Sequence, residues 1–72
     1  MRYFFHAVGT KCAHKDESGE EFDSDEDAIE YGATIAKELS DNSILNMKYI
    51  LVVDEGEREI SRSPIAQNPP FH

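Results

Sequence analysis

The chain has 72 residues, a formal net charge of −8, 31% charged and 39% hydrophobic residues, three tyrosines, four phenylalanines and one cysteine. One cysteine excludes an internal disulfide. The absence of a run of about 18 apolar residues excludes a membrane-spanning helix, and the opening residues lack the apolar stretch of a signal peptide, so the expected compartment is a reducing cytoplasm. A domain of this size buries only about 60% of its unfolded surface, so its stability must come from close packing or from self-association.

Arg2-Tyr3-Phe4-Phe5-His6-Ala7-Val8 reads as a first strand. Side chains alternate between faces, so Tyr3, Phe5 and Ala7 point one way and Phe4, His6 and Val8 the other. A strand apolar on both faces belongs inside a sheet that is covered twice. A polar connection follows from Gly9. Asp16-Glu17-Ser18-Gly19 is a turn in which glycine can take a positive φ. Glu20-Glu21-Phe22 is a short second strand, or an extended lead-in that docks Phe22 beneath a helix.

The helix starts near Asp23 or Ser24, where two capping boxes overlap, Asp23 with Glu26 and Ser24 with Asp27. The acidic run Asp25-Glu26-Asp27 suits the positive end of the helix dipole. Ala28, Ile29, Gly32, Ile35, Ala36 and Leu39 form one apolar stripe, and Gly32 suggests a close approach to the sheet, since glycine otherwise costs about 1 kcal/mol against alanine. Ser40-Asp41-Asn42-Ser43 ends the helix.

Met47 to Val53 is a second strong strand, with Met47, Tyr49, Leu51 and Val53 on one face and Lys48, Ile50 and Val52 on the other. Asp54-Glu55-Gly56 turns the chain, with Gly56 expected at the positive-φ position of a bulged hairpin. Glu57 to Ser63 returns as an edge strand marked by its charges and by Pro64. The expected fold is α+β, a two-layer sandwich in the order β-β-α-β-β. A three- to four-stranded antiparallel sheet carries one helix on one face. Residues 1–65 form the single domain and 66–72 a tail, whose Pro69, Pro70 and Phe71 could serve as a docking segment.

Candidate chemistry is thin. Asp23, Asp25 and Asp27 imitate the opening of a calcium loop, but Ala28 stands where glycine is needed and Thr34 where the bidentate glutamate belongs. His6, Cys12 and His14 do not form a zinc spacing. His6 sits mid-strand without a second catalytic group or a cleft, and no phosphate loop, nucleophile elbow or Cys–His signature is present. No enzyme activity, cofactor or metal is expected. Arg58, Ile60 and Arg62, read as one face of the last strand, could with Lys48, Tyr3 and Tyr49 imitate a nucleic-acid platform. The motif proper is absent and the charge opposes it. Nine of the fifteen acidic residues lie between Asp16 and Glu30, a stretch without lysine or arginine, and a field of that sign disfavours nucleic acid and favours a basic protein partner.

The opening Arg2-Tyr3-Phe4-Phe5-His6, the segment Asp16 with Gly19-Glu20-Glu21-Phe22, the acidic start of an alanine-rich helix and Val52-Val53-Asp54-Glu55-Gly56 together resemble a family of short bacterial proteins classed as a domain of unknown function. The likeness runs from Arg2 to about Ile65 and implies no activity, cofactor or catalytic residue. A looser likeness is to the N-terminal domain of HicB-type antitoxins, which share the order strand, Asp/Gly turn, strand, acidic-capped helix. It implies a regulatory or nucleic-acid-associated role, although the second strand here is shorter and the Pro-Gly-Cys stretch before the helix is missing.

One helix can cover one sheet face. The chain therefore reads as a non-enzymatic interaction module that forms a homo-oligomer, most simply a dimer, through the other face. Tyr3, Phe5, Tyr49, Leu51 and Ile60 are the candidate interface residues.

Overall fold

The structure, a computed structural model, describes residues 1–42 and 47–65; the expected tail at 66–72 lies outside them. Six elements follow in order: β1 (Arg2–Gly9), β2 (Ala13–His14), β3 (Glu20–Glu21), α1 (Asp25–Asn42), β4 (Met47–Asp54) and β5 (Glu59–Pro64). The five strands form one sheet in which every pairing is antiparallel. The order is β2-β1-β4-β5, with β3 also paired to β1. Both two-residue strands lie on the outer edge of β1, β3 at Arg2–Tyr3 and β2 at Ala7–Val8. The sheet is thus α+β as expected. Five strands occupy four columns, and β1 lies inside the sheet.

Register decides what the helix meets. Phe5 lies opposite Val52 and Ala7 opposite Ile50, while Val52 and Ile50 lie opposite Ser61 and Ser63. These residues face α1. Tyr3, Ile50 and Val52 are the largest fully buried side chains, each contributing about 1.5–3 kcal/mol of burial free energy. Ala28, Gly32 and Ala36 recur every fourth residue and put a flat strip of small side chains against the strands. A Cβ on Gly32 would stand 2.8 Å from Val52 Cγ2, which confirms the close approach. Ile29, expected in the stripe, is instead 37% exposed, because the strip that meets the sheet is the Ala28–Gly32–Ala36 row and Ile29 is turned about 100° from it.

The helix begins as its sequence dictates. Ser24 Oγ accepts the Asp27 N–H at 3.2 Å, the second of the two overlapping boxes. Phe22 leads in beneath the helix and stacks with Tyr3, Phe5 and Tyr31 at ring separations of 6.2, 5.9 and 5.2 Å. The first turn is tied to the sheet by the Tyr3 hydroxyl, which donates to Asp25 Oδ1 at 2.6 Å. That bond, followed by burial, pushes the Tyr3 hydroxyl up to about 12. Arg58 bridges Asp25 at 3.6 Å and Asp54 at 3.2 Å.

Two local expectations are corrected. Met47 belongs to the core beneath the helix and not to the Tyr49 face, because the ladder shifts between Val8 and Gly9 and the extra residue turns Met47 over. In the β4–β5 turn the left-handed residue is Glu57, with φ 63°, and not Gly56. Asp54 organises that turn. Its Oδ1 accepts the N–H groups of Gly56 and Arg58, each at 2.9 Å, and the Arg58 bond, assisted by Gly56, holds the carboxyl below its usual range in spite of burial. Among the described residues no helix is long and apolar enough to cross a membrane.

Candidate interface on the open sheet face

The face turned away from α1 carries Phe4, His6 and Val8 from β1 and Tyr49, Leu51 and Val53 from β4. The register sets them directly opposite in three pairs, Phe4 with Val53, His6 with Leu51 and Val8 with Tyr49. Side chains so placed touch across the strands and form one continuous patch. No described element covers it. Val53 is buried by its neighbours and the other five are half-buried. Beside the patch, Arg62 of β5 lies over the Tyr49 ring, 5.0 Å from its centroid, and makes a two-toothed ion pair with Glu59 at 2.9 and 3.2 Å. The patch edge is therefore charged but locally neutralised.

At the Phe4–Val53 end the face opens into a groove of about 450 Å³. Phe4, His6 and Val53 line it, and Glu17, Glu55 and Glu57 stand at its rim. One side of the groove is the loop centred on Asp16, whose construction follows from a gap in the sheet. Between β3 and β2 the outer edge of β1 has no strand, and Asp16 fills that place. Its Oδ2 accepts the Phe5 N–H at 3.1 Å, and its Oδ1 accepts those of Ser18 and Gly19, each at 3.2 Å. Burial works against the charge on Asp16. The N–H groups of Phe5, Gly19 and Ser18, with the nearby His6, outweigh it and hold the carboxyl below its usual 3.8. Gly19 closes the turn at φ 73°, and a Cβ there would stand 2.8 Å from the Tyr3 carbonyl oxygen, so the sequence reading of this turn holds. The Asp16 N–H donates in turn to His6 Nδ1 at 3.0 Å. An accepting Nδ1 assigns the proton of the neutral imidazole to Nε2.

The five residues singled out from sequence are divided between the two faces. Tyr49 and Leu51 lie on the open face. Tyr3 and Phe5 lie beneath the helix, 2% and 8% exposed, and cannot form part of an uncovered patch. Ile60 also packs against the helix-side core, because a bulge opposite Val52–Val53 leaves it outside the alternation. Phe4, His6, Val8 and Val53 were missed. Alternation already grouped Phe4 with His6 and Val53 with Leu51, and the missing step was to know which face the helix takes. The small residues at 28, 32 and 36 mark the strip by which the helix meets the sheet, but they do not choose between two sheet faces that each carry large rings. The basic platform is likewise not assembled. Arg58 joins Tyr3 on the helix side through Asp25, while Arg62 and Tyr49 are on the open face.

His6 and His14 lie on opposite faces, since His14 pairs with the helix-facing Ala7, and Cys12 is exposed. Among the described residues no three His, Cys, Asp or Glu side chains converge on a metal position. No curated protein and no solved structure matches the chain. The sequence likeness that starts at Arg2-Tyr3-Phe4-Phe5-His6 is borne out by a family model that matches residues 2–66, and the chain belongs to the family described as domain of unknown function DUF6894.

Proposed function

We propose that this chain is a non-enzymatic interaction module of the cytoplasm that self-associates through its open sheet face. The observation that carries the reading is the continuous patch Phe4, His6, Val8, Tyr49, Leu51 and Val53, which the register assembles and no described element covers. In a chain of net charge −8 this patch holds no carboxylate, and depletion of charge at the centre of an apolar area is the compositional mark of an interface. A second copy stacked on it supplies a cover that no described element gives, and adds burial to a domain of marginal size. Asp25 is held by Tyr3 and Arg58, while the carboxylates of Glu26, Asp27 and Glu30 stay available to a basic partner.

The test is sedimentation mass across a dilution series, with Leu51→Lys as the disrupting variant and Ile29→Lys, on the exposed side of the helix, as the control. The expected result is a dimer at high micromolar concentration that dissociates on dilution. Leu51→Lys should be folded by circular dichroism and monomeric throughout, with Ile29→Lys like the parent. A parent chain that is monomeric at high micromolar concentration overturns the reading.

A further inference from the structure

His6 stands at the centre of the open face, in the middle pair of the three, and its Nδ1 accepts the Asp16 N–H at 3.0 Å. That bond has a fixed direction, because a backbone amide can only donate. It exists only while Nδ1 carries a lone pair. A protonated imidazole is a donor at both nitrogens, so on proton uptake two donors face each other and the bond is lost. The same residue, Asp16, caps the Phe5 N–H and the Ser18 and Gly19 N–H groups through its carboxylate. Its backbone is thus the hinge on which the 15–19 loop and one wall of the groove are set.

The groups that face His6 come from every neighbouring element. Lys15, Asp16 and Glu17 belong to the loop, and Asp54, Glu55 and Glu57 to the β4–β5 turn; all six line the same groove. Arg62 lies beyond Leu51 on β5. Charges of both signs are thus ranged around the imidazole. The free molecule can hold a cation at this place, since the groove is open to water. A second copy covering the face cannot leave it so, because a charge at the centre of an apolar interface loses its hydration.

We propose that His6 and Asp16 form a pH-sensitive latch on the self-association surface. With His6 neutral the latch is closed, the loop is seated and the face accepts a second copy. With His6 protonated the Asp16 N–H is released, a charge appears at the centre of the patch and the copies separate. The latch itself is a property of the single chain; only the separation step rests on the self-association reading.

Two measurements keep these apart. Two-dimensional NMR of the full chain, between about pH 7.5 and about pH 5.5, the range in which imidazole protonates, reads the Asp16 amide and the His6 ring nitrogens. Both are expected to titrate with one midpoint, and the Asp16 amide is expected to become flat in His6→Asn. Sedimentation over the same range is expected to show at least ten-fold weaker association at the acid end for the parent chain and for His14→Asn, and no pH dependence for His6→Asn. An Asp16 amide that ignores the His6 titration overturns the latch, whatever the oligomeric state. A dimer equally tight at both ends of the range overturns the coupling while leaving self-association in place. A chain monomeric at every pH overturns self-association, and the amide titration still decides the latch.

Discussion

Replacing Gly32 by alanine sets two effects of opposite sign against each other. Alanine is the better helix former by about 1 kcal/mol, and position 32 is well inside the 18-residue helix. Against this, the new Cβ would lie 2.8 Å from Val52 Cγ2, with Ser63 Oγ at 3.5 Å and Phe5 Cδ2 at 3.6 Å. The last two are ordinary contacts. The first is not, and Val52 cannot yield easily: it is 0% exposed, and a β-branched side chain has little χ1 freedom. Forcing a methyl group into such a core costs about 1–3 kcal/mol. The clash should win by about 1 kcal/mol, which for a domain of this length lowers Tm by roughly 4–8 °C. Thermal and urea denaturation of Gly32→Ala, at one fixed protein concentration, measures it. The same substitution made on a Val52→Ala background should reverse sign and stabilise, because the obstacle is gone and the propensity term remains. A Gly32→Ala chain more stable than the parent would refute the claim that glycine sets the helix–sheet distance.

Three further outcomes are expected. The Asp16 carboxyl is held below its usual 3.8, so its stabilising contribution is complete above that value and is lost as pH falls through the folded-state value; Asp16→Asn should remove this acid limb and cost about 1–3 kcal/mol by leaving an amide donor without a partner, as read by urea melts at neutral and acid pH. Tyr3 keeps its proton up to about 12, so its contribution is complete below 10 and lost as pH rises towards 12. Ultraviolet titration should show one of the three tyrosines ionising late, and Tyr3→Phe should abolish that late phase. Glu57 holds a positive φ in a turn that ordinarily places glycine there; Glu57→Gly should therefore stabilise by about 0.5–1 kcal/mol in denaturant melts, and a loss of stability would refute the assignment of strain to that residue.

Periodicity made the long elements legible. The alternation of β1 and β4, the cap at Ser24 and the small residue at position 32 are local signals with local causes, and each reappears in the structure. Two kinds of feature were not legible. The first is any choice between two faces of similar polarity. Tyr3 and Phe5 are no more apolar than Phe4 and Val8 taken together, and only docking of the helix tells them apart. The second is any slip of one residue in a ladder, which inverts every side chain beyond it. The bulges beside Met47 and Ile60 did this, and they moved one residue out of the expected patch and one into the core. The two-residue β2 leaves too little sequence to carry a pattern; it exists because β1 offers an unpaired edge at Ala7 and Val8.

The side chain of Asp16 has one more consequence. Where other sheets finish an edge with a strand, this one finishes it at Phe5 with a carboxylate, and a carboxylate can be switched off. In acid the plug at Phe5 loosens while β4 still holds the inner edge. A folded molecule then presents a bare backbone rung in the aromatic-rich first strand, the kind of template on which other chains add as strands. Clumping of this protein in acid would thus start from the native sheet, ahead of unfolding, at one amide.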